Sequence, residues 1–115
     1  MKISEKQLRQ IVSTIANEYR PLRILLFGSY RKGTPRDSSD VDLLIIKDTE
    51  VVASRRAAEV HRIFNPYLYD LDIIVMTPDE FDTQKNEINT LAYFVNNEGK
   101  LVYERSLQGM VQEGR

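Results

Sequence analysis

FGSYRKGTPRDSSDVDLLII, residues Phe27 to Ile46, is the stretch from which the rest of the chain can be read. An apolar run, Leu22 to Phe27, stops at Gly28-Ser29. Ten residues follow, and Asp40-Val41-Asp42 then opens a second apolar run, Val41 to Ile46. Short apolar runs bounded by turn residues read as buried strands. Between them, Ser29 to Gly33 is long enough for a helical turn, and Thr34 to Ser39 (TPRDSS) has the Pro, Asp and Ser content of a loop.

Residues i and i+2 of a strand share a face, so Asp40 and Asp42 project together from the start of an otherwise apolar strand. Two like charges placed so repel, and burial would raise their pKa values. Such a pair calls for a cation, and hard divalent ions such as Mg²⁺ take oxygen ligands and share carboxylates with substrate phosphates. A third apolar run, Leu68 to Met76, carries Asp72 and, two residues earlier on the same face, Asp70. If that strand neighbours the second, Asp72 can complete a three-carboxylate cluster suited to two-metal displacement at phosphorus.

At the other end of the motif, Gly28 lacks a Cβ, so backbone can come close to a ligand. Ser29 would open a short helix whose free N–H groups favour a phosphate, with its hydroxyl adding a hydrogen bond. Arg23, Arg31, Lys32 and Arg36 flank the turn and could neutralise a triphosphate.

Working outward, Ser4 reads as an N-cap followed by Leu8, Ile11, Val12 and Ile15 at helical spacing, with Pro21 ending the helix. Val51 to Phe64 reads as a helix broken by Asn65-Pro66. Pro78 can start another, whose stripe Ile88, Leu91, Ala92, Val95 runs to Asn97–Gly99, and Leu101 to Tyr103 reads as a last short strand. The expected fold is therefore α/β (α+β), a small mixed central sheet flanked by helices. One domain is expected over 1–105, with a polar tail over 106–115.

Composition narrows the classes. The 115 residues suit one domain, and 42% hydrophobic with 29% charged residues is near the globular average. A formal net charge of −1 gives no basic field for duplex nucleic acid. The absence of cysteine excludes disulfides and thiolate metal sites. No apolar run approaches a membrane span and the polar start lacks a signal-peptide core, so a cytoplasmic location without membrane contact is expected. The G-x-x-x-x-G-K-[ST] loop of P-loop ATPases is absent. The only histidine, His61, is expected to be structural or at the surface, Arg55-Arg56 a solvated helix face, and Tyr93, Phe94 and Tyr103 core packing.

Gly28-Ser29, ten residues, Asp40-x-Asp42 and a later strand aspartate together resemble the minimal nucleotidyltransferases (MNT) of the DNA polymerase β superfamily, above all the MNT antitoxins of HEPN/MNT toxin–antitoxin pairs. Gly33 and Ser39 fit the context of that motif, and the resemblance extends to the closing EGKLVYE. It implies the polymerase β-like nucleotidyltransferase fold. It also implies that Asp40, Asp42 and Asp72 are catalytic and hold two Mg²⁺ ions, with Asp70 competing with Asp72 as the third ligand. Gly28, Ser29, Arg31, Lys32 and Gly33 would bind the nucleotide, with ATP as substrate. The reaction implied is transfer of AMP to a tyrosine hydroxyl of a HEPN toxin, the hetero-oligomeric partner. Two alternatives stand beside it: neutralisation of the toxin by complex formation, and nucleotidyl transfer to a small molecule or RNA.

Overall fold

A computed structural model describes residues 2–64 and 68–105. The tail expected over 106–115, and the Asn65-Pro66 helix break, lie outside these residues. The order of elements is α1 (Glu5–Tyr19), β1 (Arg23–Phe27), α2 (Gly28–Lys32), β2 (Val41–Ile46), α3 (Ala53–Ile63), β3 (Leu71–Met76), α4 (Pro78–Gln84), α5 (Leu91–Glu98) and β4 (Lys100–Glu104). Among them no helix is long and apolar enough to cross a membrane.

The strands form one mixed sheet in the order β3-β2-β1-β4. β1 lies antiparallel to both β2 and β4, and β2 runs parallel to β3 through the α3 crossover. Period-2 alternation splits the strands into two cores. Ile24, Leu26, Val41, Leu43, Ile45, Leu71, Ile73 and Val75 pack with Ile11, Val12 and Ile15 of α1 and Val60 of α3. Leu25, Phe27, Leu44 and Ile46 pack on the opposite side with Phe81 of α4 and Ala92 and Val95 of α5. β1 and β2 are therefore covered on both faces, which explains why RILLF and VDLLII read as continuous apolar runs.

Local chemistry sets the ends. Ser4 caps α1 with a full capping box shared with Gln7, and the helix closes at Arg20 in the left-handed region. Thr77 and Glu80 make the equivalent box at α4, with Pro78 in the first turn. Two expectations need correction. The helix expected to run on from Pro78 is two helices, because Thr90 caps a new start at Leu91, its hydroxyl accepting the Tyr93 N–H, and Asn89 takes a positive φ of 77°. Ile88, placed by the sequence on the apolar stripe, is 71% exposed in the connection.

The second correction concerns Arg56. Of the Arg55-Arg56 pair, Arg55 is exposed, but Arg56 is only 6% exposed. Its guanidinium donates to the Val51 and Val75 carbonyls and forms a two-pronged pair with Glu80, Nη1 to Oε1 at 2.7 Å and Nη2 to Oε2 at 3.2 Å. The hydrogen bond from Arg56 holds the Glu80 carboxyl below its usual pKa and, reciprocally, raises that of Arg56. Glu80 also accepts the Thr77 N–H, so one carboxylate ties α3, the end of β3 and the start of α4 together. Its side chain remains 38% exposed, so water screens part of the pair. Glu80→Gln leaves Arg56 buried without its counter-charge and should lower unfolding stability by about 2 kcal/mol, below the fully buried range for that reason. Arg56→Met, which removes the charge and keeps the bulk, should lower it by less, as measured by urea denaturation midpoints.

Candidate active site

The register between strands builds the site. Parallel pairing of β2 with β3 sets Asp42 opposite Asp72, and antiparallel pairing with β1 sets Asp42 opposite Phe27, the residue before Gly28. By alternation Asp42 and Asp72 share the face of Leu44, Ile46, Ile74 and Met76, the side that α4 and α5 cover. They stand at its open end, where the apolar packing stops.

Asp42 is half-buried and Asp72 and Asp40 are exposed. Burial, the charge of Asp72, a hydrogen bond shared with Asp72 and, last, the charge of Asp40 raise the Asp42 carboxyl from an ordinary 3.8 to about 6. Asp40 precedes β2 in a turn closed by hydrogen bonds between Arg36 and Ser39, while the Val41 N–H donates to the Asp70 carbonyl at 3.0 Å. Asp72 therefore lies beside Asp42 in the ladder, while Asp70 precedes β3. Among the described residues no three acidic, His or Cys side chains already stand in metal-binding geometry. The donor set still fits a hard cation: two carboxylates side by side on one face, with the charge of a third, Asp40, also acting on Asp42.

Gly28 explains how so tight a pair is tolerated. It takes φ +75°, and a Cβ built there would lie 2.1 Å from Asp42 Oδ2. The missing side chain thus makes room for a carboxylate of the chain itself, a neighbour that the sequence does not reveal. Gly33 also takes a positive φ, 79°, and its N–H donates to the Ser29 carbonyl, as does that of Thr34. No side chain caps the first turn of α2. Tyr30 fastens α2 to the amino-terminal segment, its hydroxyl accepting the Ile3 N–H at 3.0 Å.

The four flanking cations lie in three places. Arg31 and Lys32 line a cavity of about 180 Å³ with Gly28, Phe94 and Glu98, next to the carboxylates. Arg36 is exposed in the following loop. Arg23 lies at the other end of β1, its guanidinium 5.3 Å from the centroid of the Phe81 ring, and takes no part in the site. Phe94 is the residue that sequence reasoning missed. It is 39% exposed rather than core, and its ring meets Phe27 edge-on at 6.5 Å. As an aromatic residue beside the apolar stripe, it gave a signal only for packing.

Comparison with known proteins agrees with this architecture. Residues 9–108 match the family model described as "Polymerase beta, Nucleotidyltransferase". The chain belongs to the polymerase beta nucleotidyltransferase family. A Methanocaldococcus jannaschii protein named "Putative protein adenylyltransferase" is 27% identical over 115 residues, spanning 90% of this chain and 76% of that one. A second of the same name from that organism is 38% identical over 48 residues, 40% of this chain and 48% of its own length. A Sulfolobus solfataricus crystal structure described as "a putative nucleotidyltransferase" superposes with TM-score 0.58 at 23% identity, covering 87% of this chain and 79% of that one. A toxin–antitoxin crystal structure with AMP-PNP superposes with TM-score 0.60 at 18% identity, covering 90% and 78%. A mutant of the toxin–antitoxin MntA-HpeT does so with TM-score 0.54 at 17% identity, covering 96% and 80%. These likenesses show the shared fold of a nucleotidyltransferase enzyme.

Two outcomes follow for this nucleotidyltransferase. Gly28→Ala forces an L-residue into positive φ and drives the Asp42 carboxylate aside, so activity should fall at least a hundredfold while the melting temperature drops by only a few degrees, about the effect of 1 kcal/mol. In the presence of a chelator, the raised Asp42 pKa means that the folded state holds its proton more tightly than the unfolded state. That contribution is present below about pH 4 and is lost as pH rises to about 6. Asp42→Asn should therefore raise the melting temperature more at pH 7.5 than at pH 4.5, by differential scanning calorimetry.

Proposed function

We propose that this enzyme transfers AMP from ATP, with Mg²⁺, to a hydroxyl of a partner protein in the cytoplasm, and that the partner is a HEPN toxin silenced through a tyrosine. The observation that carries the reading is the Asp42–Asp72 pair beneath Gly28, two carboxylates driven together at the mouth of the sheet. The relatives named as protein adenylyltransferases and the toxin–antitoxin neighbours, one with AMP-PNP, support the choice of nucleotide and acceptor.

In this reading Asp40, Asp42 and Asp72 hold Mg²⁺, which when bound neutralises the carboxylates and the triphosphate and orients the phosphates. Gly28 leaves the space into which Asp42 fits. Ser29 and the uncapped first turn of α2 receive the phosphates, and Gly33 closes that turn. Arg31 and Lys32 neutralise the remaining charge. Asp72, the more exposed acid of the pair, accepts the proton of the attacking hydroxyl. The hydroxyl oxygen bonds to the α-phosphorus, the bond from the α-phosphorus to the bridging oxygen breaks, and pyrophosphate leaves. Holding these groups in line, away from competing geometries, supplies most of the acceleration.

The toxin–antitoxin neighbours favour an acceptor on a separate chain. Incubation with α-labelled ATP, Mg²⁺ and the protein encoded beside it should label that protein on tyrosine. Asp40→Asn combined with Asp42→Asn should reduce labelling by at least a hundredfold. Labelling that survives the double substitution contradicts the catalytic assignment. Full neutralisation of the partner by the double variant at equal dose favours complex formation instead.

A further inference from the structure

We infer that Phe94 is the platform on which the nucleobase of the substrate stacks. The inference rests on the proposed nucleotide site and extends it to the part that the motif does not describe.

Four observations converge. Phe94 lies on α5, which packs on the same sheet face that bears Asp42 and Asp72. Its ring lines the cavity that also contains Gly28, the residue against which the Asp42 carboxylate packs. It is 39% exposed, whereas its helix neighbours Ala92 and Val95 are fully buried, so part of the ring is left over after packing. It is also held in place: its edge contact with Phe27 at an interplanar angle of 82° ties it to the residue paired with Asp42.

The chemistry of the lining fits one occupant. Arg31 and Lys32 line the same cavity as Gly28 and the ring and outnumber its one acid, Glu98, so the cations suit phosphates while the exposed part of the ring suits a flat aromatic base. A base offers a π-face whatever its edge, so stacking adds affinity without demanding a sequence motif. That is why the site escapes a reading based on motifs alone.

Binding of Mg²⁺-ATP and of Mg²⁺-tripolyphosphate, measured by isothermal titration calorimetry on the full chain, separates the base from the phosphates. Phe94→Ala should weaken ATP by about tenfold, within the range for loss of one stacked base, and leave tripolyphosphate unchanged. Phe94→Tyr should restore ATP affinity. Equal affinity of the wild type and Phe94→Ala for ATP overturns the inference, as does an equal loss for both ligands. A wild-type protein that binds neither ligand overturns the proposed nucleotide site itself, which is a different result.

Discussion

Two like charges set side by side are the constraint around which this molecule is arranged. Asp42 and Asp72 are opposed because β2 and β3 run parallel in register, and that register is fixed by the apolar residues that follow each aspartate. A slip of one residue would turn Leu43 and Ile73 out of one core and Leu44 and Ile74 out of the other. The hydrophobic interior therefore forces together two groups that would otherwise separate, and burial first, then the charge of Asp72, raises the Asp42 pKa.

The remaining elements serve the pair. β1 ends beside it, and Gly28 at that end gives Asp42 room that any side chain would fill. α2 then turns away with Arg31 and Lys32, and α5 brings Phe94 against the same opening. At the far end of the sheet the Arg56–Glu80 pair fastens the α3 crossover to β3 and α4, holding the parallel strands that set the register. The chemistry is concentrated at one end of the sheet and this polar fastening at the other.

Much of this was legible in the sequence where one residue suffices to fix a local outcome. Val41–Ile46 is a strand at both expected ends, Ser4 caps α1, and Gly28 interrupts the chain where β1 stops. The polymerase β-like fold and the gathering of Asp42 with Asp72 follow from the motif and from adjacency of two strands. What stayed hidden depends on distant partners. Arg56 is indistinguishable from Arg55 until Glu80 is brought across 24 positions of sequence. The break between α4 and α5 turns on Asn89 and Thr90, short-range features masked by a plausible apolar stripe. Arg23 flanks the glycine turn in sequence yet lies a strand's length from it. Phe94 reads in sequence as one more apolar residue of α5, yet it is 39% exposed while Ala92 and Val95 are fully buried.

The central claim is that the fold holds a half-buried Asp42 against Asp72, and that a divalent cation relieves the raised pKa of Asp42. Carboxyl ¹³C chemical shifts of Asp42, followed by NMR from pH 3 to pH 9 with and without Mg²⁺, test it directly. Without metal, Asp42 should titrate with a midpoint near 6. With saturating Mg²⁺ that midpoint should fall below the ordinary carboxylate value, because the cation favours the charged form. A midpoint near 4 in the metal-free protein that Mg²⁺ leaves unmoved would contradict the account.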